Sequence, residues 1–102
     1  MVILDFLPKE DETTGVSYRL TYDCKYYHIE KHILSFLVSK KRLSKKAVNE
    51  QLGIDLTKKA QKWNINTTRY CEEIIAYDIE TARKIASYRH GVRSVDEISL
   101  IE

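Results

Sequence analysis

Apolar and polar residues follow two different periods along this chain. Val2, Leu4 and Phe6 alternate with Ile3, Asp5 and Leu7 before Pro8 stops the run. That is the pattern of a strand with apolar side chains toward both faces. Lys9 to Gly15 is polar and ends in Thr13-Thr14-Gly15, a turn-type loop. Val16, Tyr18, Leu20 and Tyr22 then alternate with Ser17, Arg19, Thr21 and Asp23. Strict period two with β-branched and aromatic residues predicts a second strand. The two strands are expected to pair as an antiparallel hairpin.

From Lys25 the period changes. Tyr26, Ile29, Ile33, Phe36 and Leu37 step by three or four, with Leu34 and Val38 widening the stripe. This spacing predicts a helix of about four turns, buried on a broad face. It runs out into Lys40-Lys41-Arg42, cations suited to the negative end of a helix dipole. A short helix is expected next, at 45–52. Ser44 is placed to cap its N-terminus, and Leu43 can staple onto Val48. Gly53 can end it in a left-handed turn, with Ile54 packing back on Val48. Asp55 can cap a third helix with Leu56, Ala60 and Trp63 on one face and Lys58 and Lys62 on another. Asn64-Ile65-Asn66 closes it.

The last third admits a single long helix from Thr67 to Arg89, or a βαβ unit. In the second reading, Tyr70 to Tyr77 is a strand, Glu80 to His90 a helix ended by Gly91, and Val92 to Ile101 a strand. Strand formers in Ile75-Ala76-Tyr77, then Asp78, then the helix formers of Glu80 to Ile85 favour βαβ. A 23-residue helix would also be long for so small a domain. The expected fold is therefore α+β in one domain, 1–102. It has an N-terminal β-hairpin, three helices in the middle and a C-terminal βαβ unit, sharing one mainly antiparallel sheet.

Composition fits this picture. With 43% hydrophobic and 31% charged residues in 102, the chain is a globular domain large enough for one core. Two cysteines make no disulfide framework. The longest apolar run, Ile33 to Val38, is interrupted by Ser35 and far short of a spanning helix. Asp5 sits inside the short N-terminal apolar patch, unlike a signal peptide. The expected location is cytoplasmic, with no membrane contact.

Charge changes the picture more. Residues 39–69 carry nine cations: Lys40, Lys41, Arg42, Lys45, Lys46, Lys58, Lys59, Lys62 and Arg69. Only Glu50 and Asp55 oppose them, and acids outnumber bases on both flanks. Clustered cations attract phosphates and release counterions. A lysine-rich solvated surface is the alternative account.

Motifs for chemistry are sparse. Cys24, His28 and His32 are four apart, which on a helix would line up two histidines as metal ligands, with Cys71 as a remote fourth. No Cys-x-x-Cys accompanies them, and the expectation is no metal. Gly15, Gly53 and Gly91 are isolated, so no Gly-rich phosphate loop exists. No Gly-x-Ser-x-Gly elbow is present. The span Ser44 to Trp63 resembles a helix-turn-helix in Val48, Leu52, Gly53 and Ile54. Lys59 stands where that pattern wants an inward apolar residue. Tyr18 and Tyr22 could stack bases on an open sheet face, but packing beneath helices is the plainer role.

The expectation is a non-catalytic binding protein with no cofactor. Its nine cations would contact a nucleic acid or a nucleic-acid-bound protein complex, as a small phage or mobile-element inhibitor or regulator could. The alternatives are a protein-protein adaptor using acidic flanks and tyrosines, and, behind it, a small metal-dependent enzyme.

Overall fold

A computed structural model describes residues 1–7, 15–67, 71–90 and 95–101. Among these, strands far outnumber helices. The chain runs β1 (Val2–Phe6), β2 (Val16–Tyr22), β3 (Tyr27–Ile33), β4 (Phe36–Leu43), α1 (Lys45–Leu52), β5 (Gln61–Thr67), β6 (Cys71–Ala76), α2 (Ile79–His90) and β7 (Val95–Ile101). The strands form two antiparallel sheets, in the orders β1-β2-β3-β4 and β6-β5-β7.

The expected N-terminal hairpin is present: Asp5 pairs with Arg19, and Phe6 with Tyr18. The helix expected from Lys25 is not. That segment is the β3–β4 hairpin, with Ile29 opposite Lys41 and Tyr27 opposite Leu43. Two turns make this possible. At the first, the Asp23 carboxylate accepts the N–H groups of Lys25 and Tyr26 at 3.0 and 2.7 Å. These bonds hold Cys24 at a φ of 74°, a conformation that costs about 1–2 kcal/mol without such support. At the second turn Leu34 takes a φ of 54° and donates its N–H to Gly15 O at 2.8 Å.

α1 forms at 45–52 as its punctuation predicts. Ser44 Oγ accepts the Ala47 N–H at 3.1 Å, and Gly53 ends the helix at a φ of 64°. α1 packs on one face of the first sheet, where Val48, Leu4, Leu20, Leu43 and Ile54 make a core.

The third central helix is also absent. Asp55 does cap, but only a single turn: its carboxylate takes the Thr57 N–H at 2.9 Å and its carbonyl the Lys58 N–H at 3.2 Å. The chain then enters β5, where Lys62, Asn64 and Asn66 alternate with the buried Trp63 and Ile65. Without a second helix there is no helix-turn-helix. The middle therefore holds one helix and three strands, and the α+β expectation of three central helices sharing one sheet is corrected to a mostly β fold of two sheets.

The C-terminal βαβ reading holds for the order of its elements, and the long helix from Thr67 is excluded by β6. β6 and β7 both run antiparallel to β5 and flank it, so they are parallel to each other with α2 as the crossover. α2 buries Ala82, Ile85 and Ala86 against Trp63, Ile65 and Ile74, forming a second core. Trp63 Nε1 donates to Ala76 O at 3.1 Å within it. β1 and β6, the end strands of the two sheets, meet where the Asp5 carboxylate accepts the Ile75 N–H at 2.9 Å.

Candidate functional site

The buried stripe of α2 runs Ala82, Ile85, Ala86, Arg89. Helical spacing calls for an apolar residue at its last position, and an arginine occupies it. Arg89 is satisfied by three elements. Its Nη2 donates to Asp5 Oδ1 at 2.8 Å, its Nη1 to Glu72 Oε1 at 2.9 Å, and its Nε to Ser17 Oγ at 3.0 Å. Arg19 closes the cluster from β2, with Nε 2.8 Å from Asp5 Oδ1 and Nη2 3.2 Å from Glu73 O. Burial opposes the Arg19 charge, yet its bond to Asp5 and the fields of Asp5, Glu72 and Glu30 raise its pKa. His90 Nε2 meets the other Glu72 oxygen.

Each guanidinium nitrogen of Arg89 is thus engaged, and no described buried side-chain nitrogen or oxygen lacks a partner. This cluster joins the two sheets and α2.

Register continues the charges across the first sheet. Asp5, Arg19, Glu30 and Lys40 are successive cross-strand partners on β1, β2, β3 and β4. Lys40 Nζ lies 3.8 Å from Glu30 Oε2. His32 Nε2 lies 3.4 Å from the other Glu30 oxygen. Burial, then the nearby Arg89, pushes the His32 pKa below its ordinary value of 6.5.

Cys24, His28 and His32 do not form the expected line of ligands. The two histidines lie on a strand, where residues four apart are roughly 13 Å apart rather than the ~6 Å of a helix. His28 instead meets Asp23 at 3.0 Å. Cys24 and Cys71 are free and exposed. No set of three His, Cys, Asp or Glu among the described residues could hold a metal.

Eight of the nine expected contact cations are described, and all eight are exposed; Arg69 lies outside the described residues. They are not gathered as three adjoining helix ends. Lys40, Lys41 and Arg42 lie on β4, with Lys40 and Arg42 on the face opposite Lys41. Arg42 Cζ sits 4.5 Å over the Tyr26 ring. Lys45 and Lys46 open α1 and share with Asn49, Asp55, Leu56 and Thr57 a cleft of about 440 Å³. Lys58 stands over Tyr77, 5.5 Å from the ring centre. It borders a second cleft of about 300 Å³ with Leu4, Phe6, Leu52 and Thr81. Lys59 and Lys62 point to solvent, Lys62 on the face of β5 opposite Trp63.

Lys58 and Lys62 therefore do not project together from one helix. The densest basic run is Lys40 to Lys46. Among described residues, only Lys40 of the eight is in an ion pair.

Beside that run lies a feature the periodicity concealed. Ile33, Leu34, Phe36, Leu37 and Val38, expected inside a helix-covered core, are exposed around the β3–β4 turn. Tyr18 and Tyr22, expected to pack beneath helices, instead stack on aromatic neighbours of adjacent strands: Tyr18 on Phe6 with ring centres 5.5 Å apart, and Tyr22 on Tyr27 at 4.6 Å.

Comparison with family models, with curated proteins and with solved structures finds no match. No helix among the described residues is long and apolar enough to cross a membrane.

Proposed function

We propose that the protein is a non-catalytic binding protein that takes a nucleic acid, or a protein complex carrying one, on its basic surface. One observation carries this reading. From Ile33 to Asn49 the chain has five cations and no acid. All five are exposed, and four lack a carboxylate partner among described residues. Uncompensated charge of one sign attracts phosphates with little sequence preference. Acting by occupancy suits a small inhibitor or regulator.

The test uses labelled random-sequence oligonucleotides, single- and double-stranded. Wild type should bind with affinity falling steeply as salt rises. Lys45→Glu with Lys46→Glu should weaken binding at least ~30-fold, about 2 kcal/mol, with the circular dichroism spectrum unchanged. Absence of binding at low salt, or binding indifferent to salt and to these changes, would refute the reading.

A further inference from the structure

β4 is the outer strand of its sheet, and no described strand pairs with its free edge. An open edge presents alternate N–H and C=O groups ready for another strand. Its first half is apolar and unprotected: Phe36 is 70% exposed, Leu37 52% and Val38 49%. Its second half is cationic, with Lys40, Lys41 and Arg42.

Charge decides what can pair there. Lys31 pairs with Ser39 and His32 with Leu37, so Val38 is the extra residue of a bulge. The regular part of the strand is Ser39 to Leu43. Pairing it antiparallel with its own copy, centred on Lys41, sets Lys41 against Lys41 and Lys40 against Arg42. Like charges directly opposite are unfavourable, so a second copy is a poor occupant in the register that uses this regular part of the strand. A nucleic acid would answer the cations but leave Phe36, Leu37 and Val38 in water. An extended peptide with acids at one end and apolar residues at the other answers both.

We propose that β4 receives an acidic, extended segment of a partner protein as a fifth strand of the first sheet. The neighbouring strands are all antiparallel, and the added strand follows them. From its N-terminus it presents carboxylates to Arg42, Lys41 and Lys40, then apolar side chains to Val38, Leu37 and Phe36. Main-chain bonds supply affinity, and the charge order fixes direction. The inference rests on the binding reading above and names the protein component of such a complex.

The probe is a blocked heptapeptide of three acidic residues, a threonine and three β-branched apolar residues, titrated into the isotope-labelled full chain and followed by amide NMR. Expected are shifts and slowed exchange confined to β4 and its neighbours. Lys40→Glu, Lys41→Glu and Arg42→Glu together should weaken the peptide at least ~10-fold with the remaining spectrum retained, and the peptide of reversed order should bind more weakly. If β4 amides do not respond while oligonucleotides still bind with salt dependence, strand addition is wrong and the polyanion reading survives. If neither probe binds, both fall. Equal binding of the two peptide orders, or a wild-type dimer whose β4 amides are already protected, also overturns the proposal.

Discussion

Arg89 of α2 donates its Nη2 to Asp5 of β1 at 2.8 Å, joining residues 84 positions apart. Both side chains are almost wholly withdrawn from water, at 2% and 0% exposure. The same Asp5 carboxylate also bonds the main chain of β6. One acid thus links the first strand, the last helix and the edge of the second sheet. Removing one partner of a buried pair costs up to about 3–5 kcal/mol; here Asp5 keeps Arg19, and Arg89 keeps Glu72, when the other is lost. Asp5→Leu or Arg89→Met alone should therefore lower the unfolding free energy by an amount below that ceiling. The double variant should lose less than the sum, because the Asp5–Arg89 bond is broken only once. Urea titration of the three variants checks this, and strict additivity would show that the two residues are not coupled.

His32 makes a pH prediction. Burial, and then the cations Arg89 and Arg19, lower its pKa in the folded protein. Between the folded value and the ordinary 6.5 the unfolded chain binds more protons. Stability conferred by this residue therefore falls as pH drops through that range and is intact above it. His32→Gln should flatten the decline in unfolding free energy on the acid side of neutrality. An unchanged slope would assign the decline to other groups. Further down, as pH falls through the ordinary carboxylate range, Asp23, Asp55 and Asp78 act in the same direction. Asp23 is held low first by the Tyr26 N–H, Asp55 by the Thr57 hydroxyl and Asp78 by the Thr81 N–H.

The two ends of α1 provide a third test. Ser44→Ala removes the acceptor for the Ala47 N–H and should cost about 1 kcal/mol. Gly53→Ala puts a Cβ on a left-handed residue and should cost about the same. Their effects should add, since each end keeps its own bonds. Melting temperatures of the single and double variants measure this. A neutral Gly53→Ala would mean that the C-terminal turn relaxes.

How much of this fold was legible depended on whether the turns were. α1 carried its stops in Ser44 and Gly53, and β2 its strict alternation. The β3–β4 turn carries no such mark. Leu34 occupies a left-handed position without being glycine or asparagine, and the apolar residues around it are exposed rather than core. Their spacing therefore imitated a helical stripe. In β5 the period-two signal was present in Lys62-Trp63-Asn64-Ile65-Asn66, but Leu56, Ala60 and Trp63 also fitted a helix. The ionic cluster was missed. In the sequence, Asp5 among Ile3, Leu4, Phe6 and Leu7 speaks only against a signal peptide, and only tertiary structure brings Arg89 to it. The nine cations were legible as charge, while the distribution of the described ones over two sheets, a helix and the turn before β5 was not.

The last prediction concerns the cations of β4 as guards of its edge. Lys40, Lys41 and Arg42 follow three exposed apolar residues on a strand with no outer neighbour among those described. Charged side chains on an edge strand prevent pairing between copies. Antiparallel pairing centred on Lys41 places three pairs of like charges face to face, each unfavourable by about 0.2–1 kcal/mol. Replacing all three cations by threonine removes that repulsion and adds β-branched side chains suited to a strand. The variant should self-associate at least ~10-fold more strongly than wild type. Sedimentation velocity over a concentration series measures this: the variant's average mass should rise where that of wild type does not. Added salt should narrow the gap by screening the wild-type charges. Equal association of the two proteins at low salt would mean that the bulge at Val38, rather than charge, keeps the edge from pairing with its own copy.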